Sequence, residues 1–291
     1  FQAEDGIRDV LGSRGPGDVY KRQVLMMENK VVTKKVLERA GISVPGGYEY
    51  TSPEAGMADY RLYAGKPVVI KPKSTNFGLG ITILKHNYDE TDFKAALQIA
   101  FEHDNTVLIE KFIPGREFRI FIINDEVVGI LHRVPANVTG DGVLNIGQLI
   151  DRKNEDPLRG KGYRTPLEKI RKGREEEMFL KQQGMDFNTV PKEREVVYLR
   201  ENSNISTGGD SIDFTDDIDD SYKAIAVEAA KALNVKITGL DMMIQDIHAP
   251  ATPDNYAIIE MNFNPAIHIH CYPFKGKNRH LNHKMIKALG F

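Results

Sequence analysis

The chain has 291 residues, 41% of them hydrophobic and 27% charged, with 39 basic against 41 acidic side chains and a formal net charge of −2. This is enough apolar material for a sizeable core in one large domain or two or three small lobes. The near-neutral balance argues against nucleic acid or an acidic membrane surface as partner, and no apolar run approaches the roughly 18–20 residues of a membrane helix. The single cysteine, Cys271, cannot form an internal disulfide, which suits a reducing cytoplasm.

Residues 1–23 are crowded with Gly, Asp and Arg and carry no apolar period of 2 or 3.6, so they present no core face. They lack the apolar stretch of a signal peptide and resemble a translated sequencing adapter; they are expected to be extraneous and disordered. From Met27 the pattern becomes globular. Asn29 to Ala40 reads as a helix stopped by Gly41, and Pro53 to Tyr63 as a second helix with Ser52 at its start. Pro67 to Lys71 is a short strand, followed by a polar loop, Ser74 to Gly80, and a strand at Ile81 to Leu84. Asp89 to His103 reads as an amphipathic helix, Thr106 to Phe112 and Glu117 to Ile123 as strands, and Asn124-Asp125 as the turn into a strand at Glu126 to Val134. The charged stretch 157–195 reads as an insertion with a surface helix over Leu167 to Gln183. Strands at Val196 to Leu199, Lys236 to Ile244 and Tyr256 to Met261 and helices at Asp216 to Leu233 and Asn278 to Leu289 complete the chain. Frequent hairpins and short connections predict α+β lobes rather than a doubly wound parallel sheet.

Three groups of residues carry chemistry. Glu260 and Asn262 lie two apart on one strand and so share a face; Asp241 joins them if its strand pairs with theirs. Three short oxygen ligands suit Mg²⁺, against the plainer alternative of solvated strand-end carboxylates, and the set as a whole favours a metal. Lys71 closes an apolar strand, and the loop behind it, with Ser74, Gly78 and Gly80, offers free backbone N–H groups for phosphates. It is neither a Walker loop nor a dinucleotide fingerprint, and a surface turn explains it equally well alone. Finally, Glu110-Lys111-Phe112-Ile113 leaves a buried strand and turns through Pro114-Gly115 into Glu117, which exposes edge backbone beside apolar side chains, as an adenine ring requires; a charged hairpin is the alternative. His268, His270 and Cys271 supply zinc-type ligands on one segment but lack a second pair, so pocket lining or core packing is the favoured role.

In this order these residues, with Asn264-Pro265 behind Asn262, resemble an ATP-grasp ligase over nearly the whole chain from residue 27. The resemblance implies two α+β lobes clamping ATP, a small one at about 45–115 and a larger catalytic one at about 116–291. It further implies that Lys71 and Lys111 hold phosphates, that Glu110, Phe112 and Ile113 contact adenine, that Glu117 binds ribose, and that Asp241, Glu260 and Asn262 hold two Mg²⁺, with Mn²⁺ as a substitute. His132 to Gly142 and Asn202 to Gly209 resemble segments shared by cyanophycin synthetases and bacterial bifunctional glutathione-making enzymes, and the ending Ile258 to Pro273 is closer to the latter. The implied reaction joins γ-glutamylcysteine to glycine. Arg133 and Lys71 would neutralise phosphoryl charge, and Asn202, Ser206, Thr207, Gly208 and Gly209 would bind substrate, with backbone N–H groups at 206–209 as donors. Gly239 stands where many ATP-grasp ligases carry an arginine two positions before the first metal-binding aspartate, which assigns that work to Arg133. No glutamate–cysteine ligase half is present, so the chain is expected to be a C-terminal fragment of a longer protein, partnered by that domain. A cyanophycin- or D-alanine–D-alanine-type ligase and a catalytically incomplete ATP-binding remnant are the rival readings.

Overall fold

The structure is a computed structural model and describes residues 26–74, 80–85, 87–162 and 164–291. Segment 1–23 and Gly78, with the rest of 75–79, lie outside the described residues. In chain order the elements are α1 (Lys30–Arg39), β1 (Gly47–Tyr50), α2 (Pro53–Ala58), α3 (Tyr60–Tyr63), β2 (Val68–Pro72), β3 (Thr82–Leu84), α4 (Glu90–Phe101) and β4 (Val107–Lys111). They continue with β5 (Arg116–Ile123), β6 (Glu126–Val134), β7 (Asn137–Thr139), α5 (Ile146–Lys153), β8 (Arg159–Gly160), β9 (Leu167–Glu168), α6 (Arg174–Gln182) and β10 (Val196–Tyr198). A 3₁₀ turn at Ile205–Thr207 precedes β11 (Asp210–Asp213), α7 (Asp220–Ala232), β12 (Ile237–Ile244), β13 (Tyr256–Asn262), α8 (His268–Cys271) and α9 (Leu281–Ala288). No helix of the described residues is long and apolar enough to cross a membrane.

The described residues form two compact units that are not contiguous in sequence: those from Met26 to Pro114 group with Phe121–Val127 and Asp219–Pro265, and the second unit holds Gly115–Ile120, Val128–Ile218 and Ala266–Phe291. The grouping therefore differs from a single cut near residue 115, because α7, β12 and β13 belong with the first unit.

In the first unit, β1, β4, β2 and β3 form an antiparallel sheet in that order. Alternation along β2 and β4 sends Val68, Ile70, Val107 and Ile109 into a core with Phe93, Leu97 and Tyr63. Lys71 and Glu110 point to the other face. Helix α1 begins at Asn29, whose side chain accepts the N–H groups of Val31 and Val32, and stops at Gly41, which adopts φ +75°. The segment expected as one helix over 53–63 breaks at Asp59 into α2 and α3. β12 pairs antiparallel with β13, with Asp241 opposite Glu260 and Gly239 opposite Asn262.

In the second unit, β11 pairs antiparallel with β6, setting Ser211 opposite Arg133, and β10 pairs with β7. Ala136, Val138, Ile146, Ile150, Ile170, Leu180 and Val197 form its core. The surface helix expected over 167–183 is only α6: Leu167–Glu168 is a strand, and the helix starts after Gly173, whose N–H is capped by Glu176 Oε2 at 3.0 Å. The reversal from β5 to β6, which belongs to the first unit, occurs at Asn124 (φ +47°) and Asp125 (φ +63°), the left-handed pair that a two-residue hairpin requires.

Candidate functional site

The first unit gathers three lysines and three carboxylates. Val69 faces Glu110 and Leu108 faces Lys71 across β2 and β4, so Lys71 and Glu110 are diagonal neighbours on one face, within reach of long side chains. Lys71 Nζ lies 2.8 Å from Glu110 Oε2, and Lys34 pairs with Oε1 of the same carboxylate. Glu110 is buried. Burial alone would raise its pKa, but Lys71 and Lys34 outweigh it and hold the carboxyl below its usual range. Lys34 is pushed down to about 8, chiefly by burial, with Lys71 adding and Glu110 opposing. Lys30, one turn earlier on α1, lies 3.9 Å from Glu260; burial lowers its pKa, and Glu260 opposes that. Lys30, Lys34 and Glu260 line one crevice with Met27, Leu37 and Ile258.

Lys30 and Lys34 were not singled out from the sequence. The signal was there: two lysines four apart, with Lys34 one turn before the core residue Leu37, on a helix whose apolar face must be buried. Lys111, expected beside Lys71, lies on the alternate face of β4 and is exposed. The backbone N–H groups of Lys111 and Phe112 donate to Gly46 and Pro67, at 2.8 and 3.0 Å. Phe112 also carries the Lys85 ammonium 5.9 Å from its ring centroid. Ser74 starts its loop with its N–H on Asp104 Oδ2 at 2.7 Å. Gly80 ends it at φ +72°, where a Cβ would stand 2.6 Å from His103 and 2.7 Å from Pro72.

Asp241, Glu260 and Asn262 share one face of β12–β13. Opposed like charges destabilise a strand pair unless a cation lies between or beside them. Asn262 Nδ2 is buried without a hydrogen-bond partner, and rotation of the amide by 180° would place its carbonyl oxygen, a cation ligand, at that position. The neighbouring backbone is held by Thr238, whose hydroxyl donates to the Asn262 carbonyl at 2.9 Å. Two carboxylates and an amide with one orphaned atom fit a divalent cation that completes its shell with phosphate oxygens and water. No cluster of three or more His, Cys, Asp or Glu side chains suited to a metal occurs among the described residues. His270 and Cys271 are buried in the second unit, and His268 is exposed.

The second unit holds the remaining candidates. Glu117 pairs with Arg133 through Oε1 and accepts the Ser203 hydroxyl on Oε2 at 2.6 Å, while its carbonyl lies 3.0 Å from His132 Nδ1. In the 202–209 loop, the N–H groups of Thr207 and Gly209 donate to the Asn204 carbonyl at 3.1 and 3.2 Å, and that of Gly208 to Ile205 at 3.1 Å. These three expected donors are thus engaged within the loop. Asn202 Oδ1 accepts the Thr207 hydroxyl at 2.9 Å.

The family model described as D-ala D-ala ligase C-terminus matches residues 49–144. The chain is 62% identical over 268 residues to the glutathione biosynthesis bifunctional protein GshAB of Desulfotalea psychrophila, covering 92% of this chain and 34% of that protein. It is 55% identical over 265 residues to the protein of the same name from Clostridium perfringens, again covering 34% of it. The chain thus spans about a third of the curated relatives it matches. Its structure resembles that of a bifunctional glutathione synthetase from Pasteurella multocida, with a TM-score of 0.70 and 49% identity over 92% of this chain and 37% of that one. It also resembles the ATP-grasp ligase PsnB, with a TM-score of 0.51 and 17% identity over 92% of this chain and 60% of that one, a likeness of fold alone. Fold, motif order and sequence likeness agree: the chain has the α+β ATP-grasp fold and is similar along 92% of its length to about a third of a bifunctional glutathione biosynthesis protein.

Proposed function

We propose that this chain is an ATP-dependent ligase that joins the cysteinyl carboxylate of γ-glutamylcysteine to the amine of glycine, giving glutathione, ADP and phosphate. The observation that carries this reading is 62% identity, over 92% of the chain, to a protein named for glutathione biosynthesis. A peptide carboxylate oxygen attacks the γ-phosphorus of ATP, the bond to the β-phosphate oxygen breaks, and ADP leaves. Glycine's amine then attacks the acyl carbon, loses a proton to solvent, and phosphate departs. The protein's part is positioning and charge neutralisation.

In this reading Lys71, released from Glu110, meets the phosphates, and Lys34 keeps Glu110 neutralised while it does so. Ser74, Gly78 and Gly80 would also bind the phosphates. Lys111 offers an exposed ammonium to the nucleotide, Phe112 and Ile113 flank the adenine, and Glu117 takes the ribose hydroxyls. Arg133, with the side chains of Asn202, Ser206 and Thr207, binds the peptide, and Gly208 and Gly209 shape the loop that carries them. Asp241, Glu260 and Asn262 would hold two Mg²⁺, or Mn²⁺ in their place, whose chemistry is to screen charge on the transferring phosphoryl group. A glutamate–cysteine ligase domain on the same parent chain would supply the peptide. A reducing cytoplasm suits a substrate whose thiol must stay reduced.

The test is ADP release by the purified chain with ATP, Mg²⁺, γ-glutamylcysteine and glycine, each omitted in turn. Release that requires all four supports the reading. Release with D-alanine or other amino acids in place of the peptide would favour the D-alanine-type ligase that the 49–144 match describes. ATP binding without turnover on any of these substrates would mark a catalytically incomplete piece.

A further inference from the structure

The charged stretch 157–195 reads in sequence as an insertion with a surface helix, yet one of its arginines is buried beneath the 202–209 loop. Arg159 has a fully buried guanidinium. Nη1 donates to the carbonyl of Gly208 at 3.0 Å and to that of Glu168 at 2.8 Å, and Nη2 pairs with Asp210, the residue that follows the loop. Asp210 is itself held by Lys153 Nζ at 2.6 Å and by Asn137 Nδ2 at 3.0 Å, and the Phe274 ring lies 5.5 Å from the guanidinium carbon. Arg159 Nε is buried with no partner, so the side chain keeps this position while leaving a donor unsatisfied.

The loop has little freedom above this anchor. Gly208 adopts φ +93°, and a Cβ there would stand 2.8 Å from Ile170 Cα; a Cβ on Gly209 would stand 2.8 Å from the Val134 carbonyl oxygen. Ile170 is in turn clasped on both backbone groups by the Asn154 amide: its N–H donates to Oδ1 and its carbonyl accepts Nδ2, each at 2.8 Å. With the N–H groups of Thr207, Gly208 and Gly209 engaged inside the loop and the Gly208 carbonyl taken by Arg159, the backbone is set before any ligand arrives.

We propose that Arg159 is a positioning residue that presets the 202–209 loop for the peptide substrate, so that side chains such as Asn202 and Ser206, not rearranging backbone donors, meet the ligand. This rests on the reading of that loop as a substrate-binding element. Arg159→Lys keeps a cation beside Asp210 but loses the forked donation to two carbonyls.

In the 291-residue chain, R159K is expected to raise KM for γ-glutamylcysteine about 10-fold while KM for ATP changes less than about twofold. An unchanged peptide KM, or an equal rise in both constants, overturns the proposal. Amide hydrogen exchange over 202–209 in ligand-free wild type supplies a reading independent of turnover and of the variant's folding. Slow exchange at Thr207, Gly208 and Gly209, little altered by ATP and peptide, supports a preset loop; fast exchange that slows only on ligand addition overturns it. A wild-type chain that makes no glutathione but shows the protected loop would refute the substrate assignment and leave the anchoring in place.

Discussion

Lys71 and Lys34 divide one carboxylate between them: Lys71 Nζ sits 2.8 Å from Glu110 Oε2, and Lys34 holds Oε1. A buried carboxylate is tolerated only with such compensation, and removing one partner leaves a charge stranded, at a cost of about 3–5 kcal/mol for a fully buried pair. Lys34→Met is therefore expected to lower the thermal midpoint by several degrees. It should also weaken ATP binding about 10-fold, because Lys71 is then tied to Glu110 as its only remaining partner in the trio. Calorimetric titration with ATP beside a melting curve checks both effects. Unaltered ATP affinity in a folded variant would separate Lys34 from nucleotide binding.

Glu260→Gln removes a carboxylate opposite Asp241 without changing its size. If these residues hold the metal, kcat should fall by about 10²-fold or more, in line with losing charge stabilisation at the reacting centre. The Mg²⁺ concentration for half-maximal rate should rise as well. Turnover near that of wild type over a Mg²⁺ titration would remove Glu260 from the metal set.

Glu117 is occupied by Arg133 and Ser203 in this structure. A ribose contact has to displace or share those partners, which gives a direct test with 2′,3′-dideoxy-ATP. Wild type should prefer ATP by about 10-fold in kcat/KM, and Glu117→Gln should lose most of that preference, as expected when both halves of one contact are removed. An equal preference in both proteins would show that Glu117 serves Arg133 and not ribose.

Buried His270 has its pKa pushed down to about 3 by burial, with Arg119, His268 and Arg133 adding and Asp213 opposing. Between the unfolded value near 6.5 and that folded value, the unfolded chain binds a proton that the folded chain does not. Stability from this group is therefore present above about pH 6.5 and lost as pH falls, by at most about 1.4 kcal/mol per pH unit. Urea unfolding at pH 7, 6 and 5 should show a shallower decline in His270→Gln than in wild type. Parallel declines would mean that His270 contributes nothing to acid sensitivity.

Much of the fold was legible because its signals are local. Asn29 and Gly41 bracket α1, Asn124-Asp125 demands a hairpin, and the apolar runs around Ile70 and Ile109 alternate at the period of a strand. The two-residue spacing of Glu260 and Asn262 placed them on one face, and the register of β12 with β13 then put Asp241 beside them. What was not legible depends on pairings distant in sequence. Lys34 meets Glu110 across 76 residues and Arg159 meets Gly208 across 49, and no periodicity carries either. Short strands such as β1 and β11 owe their conformation to their partners, so Gly47–Tyr50 and Asp210–Asp213 gave no strand pattern of their own. Gly173 delays the helix expected over 167–183 because glycine and a capping glutamate favour a helix start there.

The central claim is that the peptide's carboxylate oxygen is phosphorylated before the amide forms, and oxygen tracing tests it most directly. The 291-residue chain would be given ATP, Mg²⁺, glycine and γ-glutamylcysteine labelled with ¹⁸O in its cysteinyl carboxylate, and the phosphate and tripeptide analysed by mass spectrometry. The account predicts one ¹⁸O in the released phosphate for each glutathione made. Unlabelled phosphate, or ADP release with no tripeptide, would contradict it.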